Sequence, residues 1–136
     1  MATFTKINSF TEKLAEKAFN LGSDTLTIAL TNTAHTASWS QLSELTQVSY
    51  ANLSSRVITI TSSAQVTGTY KLVLADLILT STGGTTGAFR YVYIFDDTAT
   101  NDELICLFDY GSSITLQDGD TFTIDFDPSN GVLQIV

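Results

Sequence analysis

Two apolar runs, "FRYVYIF" (89–95) and "LICLF" (104–108), restrict the fold more than any other part of the chain. In the first, Phe89, Tyr91, Tyr93 and Phe95 fall on one face of a strand, and Val92 and Ile94 on the other. In the second, both faces are again apolar. Short runs rich in β-branched and aromatic residues read as strands. A two-layer sandwich buries only one face of each sheet, so the second face of this hairpin needs a cover. The N-terminal helix can supply part of it. A second subunit is expected to supply the rest, which makes the chain a homo-oligomer.

The remaining segments repeat the period of two. In "TLTIALT" (25–31), Leu26, Ile28 and Leu30 share a face. "RVITIT" (56–61), "GTYKLVLADLILT" (68–80), "SSITL" (112–116), "TFTIDF" (121–126) and "VLQIV" (132–136) complete about eight strands. Asp118-Gly119 and Asn130-Gly131 are hairpin signals. One helix is expected over about 9–21. Ser9 and Glu12 have capping-box spacing, Phe10, Leu14, Ala18 and Leu21 recur at helical spacing, and Gly22 supplies a left-handed stop. Residues 37–55 read mostly as a loop crossing the sheet, in which Trp39, Leu42 and Leu45 line one turn. The expected fold is all-β, a single antiparallel β-sandwich domain over 1–136, jelly-roll-like in its connections.

Composition supports this class and narrows the partners. The 22 Thr and 14 Ser exceed a quarter of the 136 residues, and threonine suits a half-exposed pleated surface. Residues 91–136 hold nine acids and no Lys or Arg. Such a face repels phosphate, which argues against nucleic acid and anionic membranes as partners. No apolar stretch approaches the ~20 residues that span a bilayer, and "MATFTKINSF" lacks the pattern of a signal peptide. One cysteine excludes an intrachain disulfide.

The residues able to carry chemistry do not form a constellation at this level. Cys106 lies in an apolar strand and His35 in "NTAHTAS", a surface loop, so a Cys-His nucleophile is not expected. One Cys and one His also leave a tetrahedral zinc site short of ligands. Asp96, Asp97, Asp102, Glu103 and Asp109 cluster around "DDTATND", where carboxylates are expected to be solvated rather than tuned as a hydrolytic pair. "DFDPSNG" resembles a calcium loop but has glycine at the seventh position and no glutamate at the twelfth. "STGGTTG" (81–87) is followed by no lysine and reads as a β–β connection rather than a phosphate cradle. No catalytic, cofactor-binding or metal-ligating residue is assigned, and the chain is not expected to be an enzyme.

"NLGSDTLTIALTNTA" (20–34) and "FRYVYIFDDTATNDELICLFDYGSSITLQDGDTFTIDFDPSNGVL" (89–133) resemble a widespread group of tailed-bacteriophage virion proteins, among them head decoration (cement) proteins. The shared features are strand-and-turn patterns without chemistry. "TQVSYANLSS" (46–55) departs from the glycine-rich turn of that group. The resemblance implies a trimeric β-sandwich on the outer capsid, assembled in the host cytoplasm, that clamps neighbouring copies of the major capsid protein. The N-terminal segment before Ser9 would be a polar arm that orders on binding. Two alternatives stand beside it. One is a tail or baseplate component. The other is a carbohydrate-binding module in which Tyr91, Tyr93 and Tyr110 stack on sugars.

Overall fold

The period-two segments pair as three antiparallel sheets. A computed structural model describes residues 2–136. Its strands are β1 (Thr3–Lys6), β2 (Leu26–Thr31), β3 (Val57–Ile58), β4 (Ile60–Val66), β5 (Thr69–Leu74), β6 (Leu77–Thr80), β7 (Thr86–Asp96), β8 (Leu104–Leu116), β9 (Thr121–Ile124) and β10 (Leu133–Ile135). A five-stranded sheet runs in the order β1-β8-β7-β2-β3; a three-stranded sheet, β10-β5-β4, and a two-stranded one, β6-β9, make up the rest. The fold is the antiparallel all-β sandwich expected from the sequence. Connections that cross between sheets, such as β6 to β7 and β8 to β9, alternate with in-sheet hairpins at β4–β5 and β7–β8.

The β7–β8 hairpin is the spine of the molecule. Tyr93 lies opposite Leu107 and Ala29, and Ile94 opposite Cys106 and Ile28, so the two apolar faces of the runs are the two faces of the large sheet. Tyr91, Val92, Tyr93, Ile94 and Phe95 are all buried within the single chain. On one face, Phe108 meets Phe126 with ring centroids 6.1 Å apart, and Phe89 meets Phe122 at 5.4 Å. Phe89 does not share the face of Tyr91 and Tyr93 as its spacing suggested, because the pairing register shifts between Phe89 and Tyr91. On the face of Tyr93, His35 and Trp39 from the long 32–55 connection close over the sheet. That connection is held by Val48 N–H to Leu30 O and by Leu104 N–H to Ser40 O. The doubly apolar hairpin therefore gives no reason for a second subunit. The chain covers it alone.

The helix is shorter than its pattern suggested. α1 spans Phe10–Ala15, six residues, and Ser9 has helical dihedrals (φ −74°, ψ −9°) with no side-chain capping bond. It ends not at Gly22 but at Lys17, whose φ of 68° makes the left-handed turn. Ala18 N–H reaches Lys13 O and Lys17 N–H reaches Leu14 O, the paired bonds of a Schellman stop. Ala18 and Leu21 kept helical spacing because they face the core from a loop. So short a helix needs docking, which Phe10 provides against Phe19 at 5.2 Å.

Three further expectations are corrected by pairing. The segment before Ser9 contains β1, an edge strand on β8 with all four residues exposed, so it is not an unstructured arm. The run 68–80 breaks at Ala75-Asp76 into strands of different sheets, and Asp76 Oδ1 accepts Phe126 N–H across the break. The Asp118-Gly119 and Asn130-Gly131 turns are corners between sheets, not hairpins. The tail of β8 is already paired to Thr86 and Gly87 of β7, which leaves β9 to pair with β6. Among the described residues, no helix is long and apolar enough to cross a membrane.

Candidate functional site

The acids of the β7–β8 connection divide into two groups. Asp97 is exposed and Asp102 only partly covered. Asp102 sits at φ 51°, and its pKa is raised by partial burial and by the neighbouring Asp97 and Glu103 charges. Asp96 and Glu103 are buried, contrary to the expectation of a solvated tip. Strand alternation explains Asp96: it follows Val92 and Ile94 on the same inward face, in register with Leu26. Asp96 N–H also donates to Glu103 O, closing the base of the loop.

Each buried carboxyl is held by its own turn. Asp96 Oδ1 accepts Thr98 N–H at 2.9 Å and Ala99 N–H at 3.1 Å. Its Oδ2 is buried and has no conventional donor among the described residues. Burial pushes the Asp96 pKa up to about 7, a hydrogen bond with the Asp24 carboxyl adds to the rise, and the two backbone donors oppose it. Glu103 accepts Asn101 N–H at 3.2 Å and lies 3.9 Å from Lys13 Nζ on α1. Asp24, which the sequence did not single out, accepts Asn20 N–H at 2.8 Å.

These groups stand beside an open cleft of about 700 Å³. Its walls are the turn after α1 (with Lys17 and Asn20), the β7–β8 loop (Thr98 and Glu103) and the three-stranded sheet (Tyr70). The arrangement can hold a proton between Asp24 and Asp96. Of the two, only Asp24 faces the cleft; the Asp96 oxygen that remains free is sealed from solvent and out of reach of a substrate there.

The other candidates are dispersed. Asp109 forms a two-pronged pair with Arg90, at 2.7 and 3.1 Å, and also accepts Gly111 N–H. The guanidinium and that backbone donor hold its carboxyl below the usual range. Asp127 accepts Ser129 N–H, Asn130 N–H and Asn130 Nδ2, so "DFDPSNG" is a turn capped by its own aspartate, not a calcium loop. Asp118 Oδ1 accepts Gly83 N–H at 2.9 Å, which ties the glycine-rich connection to the β8–β9 corner with a carboxylate. Asp120 caps Gln117 N–H in the same corner.

Cys106 and His35 lie on opposite faces of the large sheet. Cys106 is registered with Ile94, whereas His35 Nδ1 bonds the hydroxyl of Tyr93, the next residue along, at 2.8 Å. They cannot act as a nucleophile and its base, and burial drives the Cys106 thiol pKa upward. Nor do the tyrosines form a sugar platform. Tyr91 and Tyr93 are buried, and Tyr110 packs edge-on against Phe122 at 5.0 Å.

A different surface is conspicuous for what it lacks. Every residue from Thr61 to Gly68 is exposed, and β4 is the outer strand of its sheet. No charged residue and no proline occurs between Arg56 and Lys71. Edge strands of soluble proteins are ordinarily guarded by charge, proline or a bulge that turns the edge away. Here the register shifts only at Ile60/Ser62, at the inner end of the hairpin.

Comparison with protein-family models, with curated proteins and with solved structures finds no match.

Proposed function

We propose that the protein is a structural component of a tailed-bacteriophage virion, of the head decoration (cement) type. It binds the outer face of the major capsid protein as a homotrimer and stabilises the head without catalysing a reaction. The observation that carries this reading is the unguarded β4 edge. It offers seven uncharged residues, Ile60–Val66, with their outward backbone groups free to pair with another chain, and Val66 is 68 % exposed near the tip. A protein that must stay monomeric selects against such an edge; a protein seated permanently on a partner does not. The sequence resemblance over 20–34 and 89–133 supports the same lineage, and a net charge of −8 keeps a densely covered particle soluble.

Cryo-microscopy of the particle tests the reading. Knobs on the head with threefold symmetry are expected; density confined to the tail or baseplate would overturn the decoration role. Light scattering on the purified protein is expected to report three copies of the 14.7 kDa chain. Ser63→Lys, in the middle of the exposed edge, is expected to abolish co-sedimentation with capsids while leaving the fold intact.

A further inference from the structure

The Asp96 carboxyl beside the cleft has a feature that packing alone does not explain: a fully buried oxygen without a donor, next to the segment that carries a second acid. Asp96 Oδ2 is sealed from solvent without a conventional donor, although Oδ1 of the same group has two. The adjacent segment carries Asp24, which accepts Asn20 N–H and stands one residue before Thr25, whose carbonyl accepts Asp97 N–H, and two before Leu26, the strand partner of Asp96. Two carboxylates cannot share that space without a positive species between them. A calcium ion would need six to eight oxygens, and among the described residues no three acidic, histidine or cysteine side chains converge. A proton needs only the two oxygens present.

We propose that Asp24 and Asp96 share one proton, and that this proton locks the turn after α1 to the start of the β7–β8 loop, so that the walls of the cleft separate when it leaves. In the locked state the Asp96 carboxyl O–H donates to the Asp24 carboxylate. On deprotonation the proton passes to solvent and two like charges remain in contact. The two segments they would push apart are joined by Asp97 N–H to Thr25 O and by Thr25 N–H to Thr98 Oγ1, each 2.9 Å. The other charged or titratable groups around the pair are Lys17, Glu103 and Tyr70, which line the cleft, and Asp97, which is exposed. Lys13 is committed to Glu103. The raised Asp96 pKa places the release near neutral pH.

Amide hydrogen exchange, corrected for its intrinsic pH dependence, reads the lock directly. Protection at Thr25 and Asp97 is expected to fall at least tenfold between pH 5.5 and 8.5, relative to Ile28 and Val92 in the central strands. Asp96→Asn keeps an acceptor for Thr98 and Ala99 and presents a permanent N–H donor to Asp24; its protection at the two sites is expected to be the same at both pH values. Equal pH dependence in the variant and the wild type would overturn the proposal. If the variant fails to fold, carboxyl-carbon NMR of the wild type replaces it. One carboxyl of the pair titrating near neutrality supports the shared proton, and both titrating below pH 5 refutes it. Restoration of protection at pH 8.5 by added calcium would also refute it, in favour of a cation.

Discussion

The tip of the β4–β5 hairpin carries a strain that a single substitution should release. Val66 pairs with Thr69, so the loop has two residues, Thr67 and Gly68, with φ of 48° and 86°. Positive φ at both positions is the type I′ turn, for which Asn-Gly is the favoured sequence. Threonine at the first position is branched at Cβ and meets the following carbonyl, a penalty of about 1–2 kcal/mol that asparagine largely avoids. Against that gain, Thr67→Asn removes the exposed bond from Thr67 Oγ1 to Val66 O (2.8 Å), worth about 0.5 kcal/mol. The net expectation is a stabilisation of about 0.5–1 kcal/mol. With a urea slope of about 1.5–2 kcal/mol/M, the denaturation midpoint should rise by about 0.3–0.6 M with the slope unchanged. Gly68→Ala is the matching control. A Cβ there meets nothing within 4 Å, so any loss, about 1 kcal/mol, comes from backbone strain alone. A midpoint unmoved or lowered by Thr67→Asn would refute the argument. So would a silent Gly68→Ala, because then the turn does not have these dihedrals in solution.

Three other outcomes follow from the same geometry. Gly131 has φ 75°, and an added Cβ would strike the Leu72 carbonyl that receives Val132 N–H; Gly131→Ala should therefore cost about 2 kcal/mol or more in the same urea assay, well beyond Gly68→Ala. Lys17 occupies the left-handed position of the helix stop, so Lys17→Gly should stabilise by about 0.5–1 kcal/mol, seen as a rise in Tm. The raised Asp96 pKa means the folded state binds the proton more tightly than the unfolded state. Its stabilisation is complete below about pH 4 and lost as pH rises through about 7, a change on the order of 4 kcal/mol. Asp109 and Asp127, whose pKa values are lowered, act in the opposite sense and lose stability as pH falls. Subtracting the urea stability curve of Asp96→Asn from that of the wild type isolates the first contribution, and a flat difference would contradict it.

The strands were legible in the sequence where apolar residues alternated and not where pairing decided the outcome. The alternation in β2 understated its burial, which extends to Thr27, Ala29 and Thr31 on the other face. Leu26, Ile28 and Leu30 announced β2, and the doubly apolar runs announced a hairpin buried on both faces. β1 was not legible because its four residues are all exposed and owe their strand conformation to the edge of β8. The helix was overextended because Ala18 and Leu21 keep helical spacing while facing the core from a loop. Turn chemistry located the corners at Gly119 and Gly131, but local sequence cannot say whether the strands beyond a turn join each other or different sheets. The candidate site was half legible. Composition suggested a wet acidic loop, whereas strand alternation, continued two residues past Ile94, puts Asp96 inside. Asp24 gave no signal, since its role depends on a contact made 72 residues later in the chain.

The apolar surplus that seemed to demand a partner and the edge that now invites one are different surfaces, and the difference changes where assembly should be sought. Tyr93 and its neighbours are covered by the 32–55 connection, so replacing them would damage the fold before any interface. The β4 edge costs the isolated chain nothing to expose, because its side chains are small, polar and uncharged apart from Ile60, Ala64 and Val66. Backbone hydrogen bonding is the one strong interaction such a strand can offer, and it is indifferent to the acidic field of residues 91–136. Affinity through that edge should accordingly depend little on salt, whereas an interface built on the acidic face would weaken steeply as ionic strength rises. Capsid binding measured at 50 and 500 mM salt tests this: a constant affinity is expected for pairing through the β4 edge, and a loss of tenfold or more would contradict it in favour of contacts made by acidic side chains.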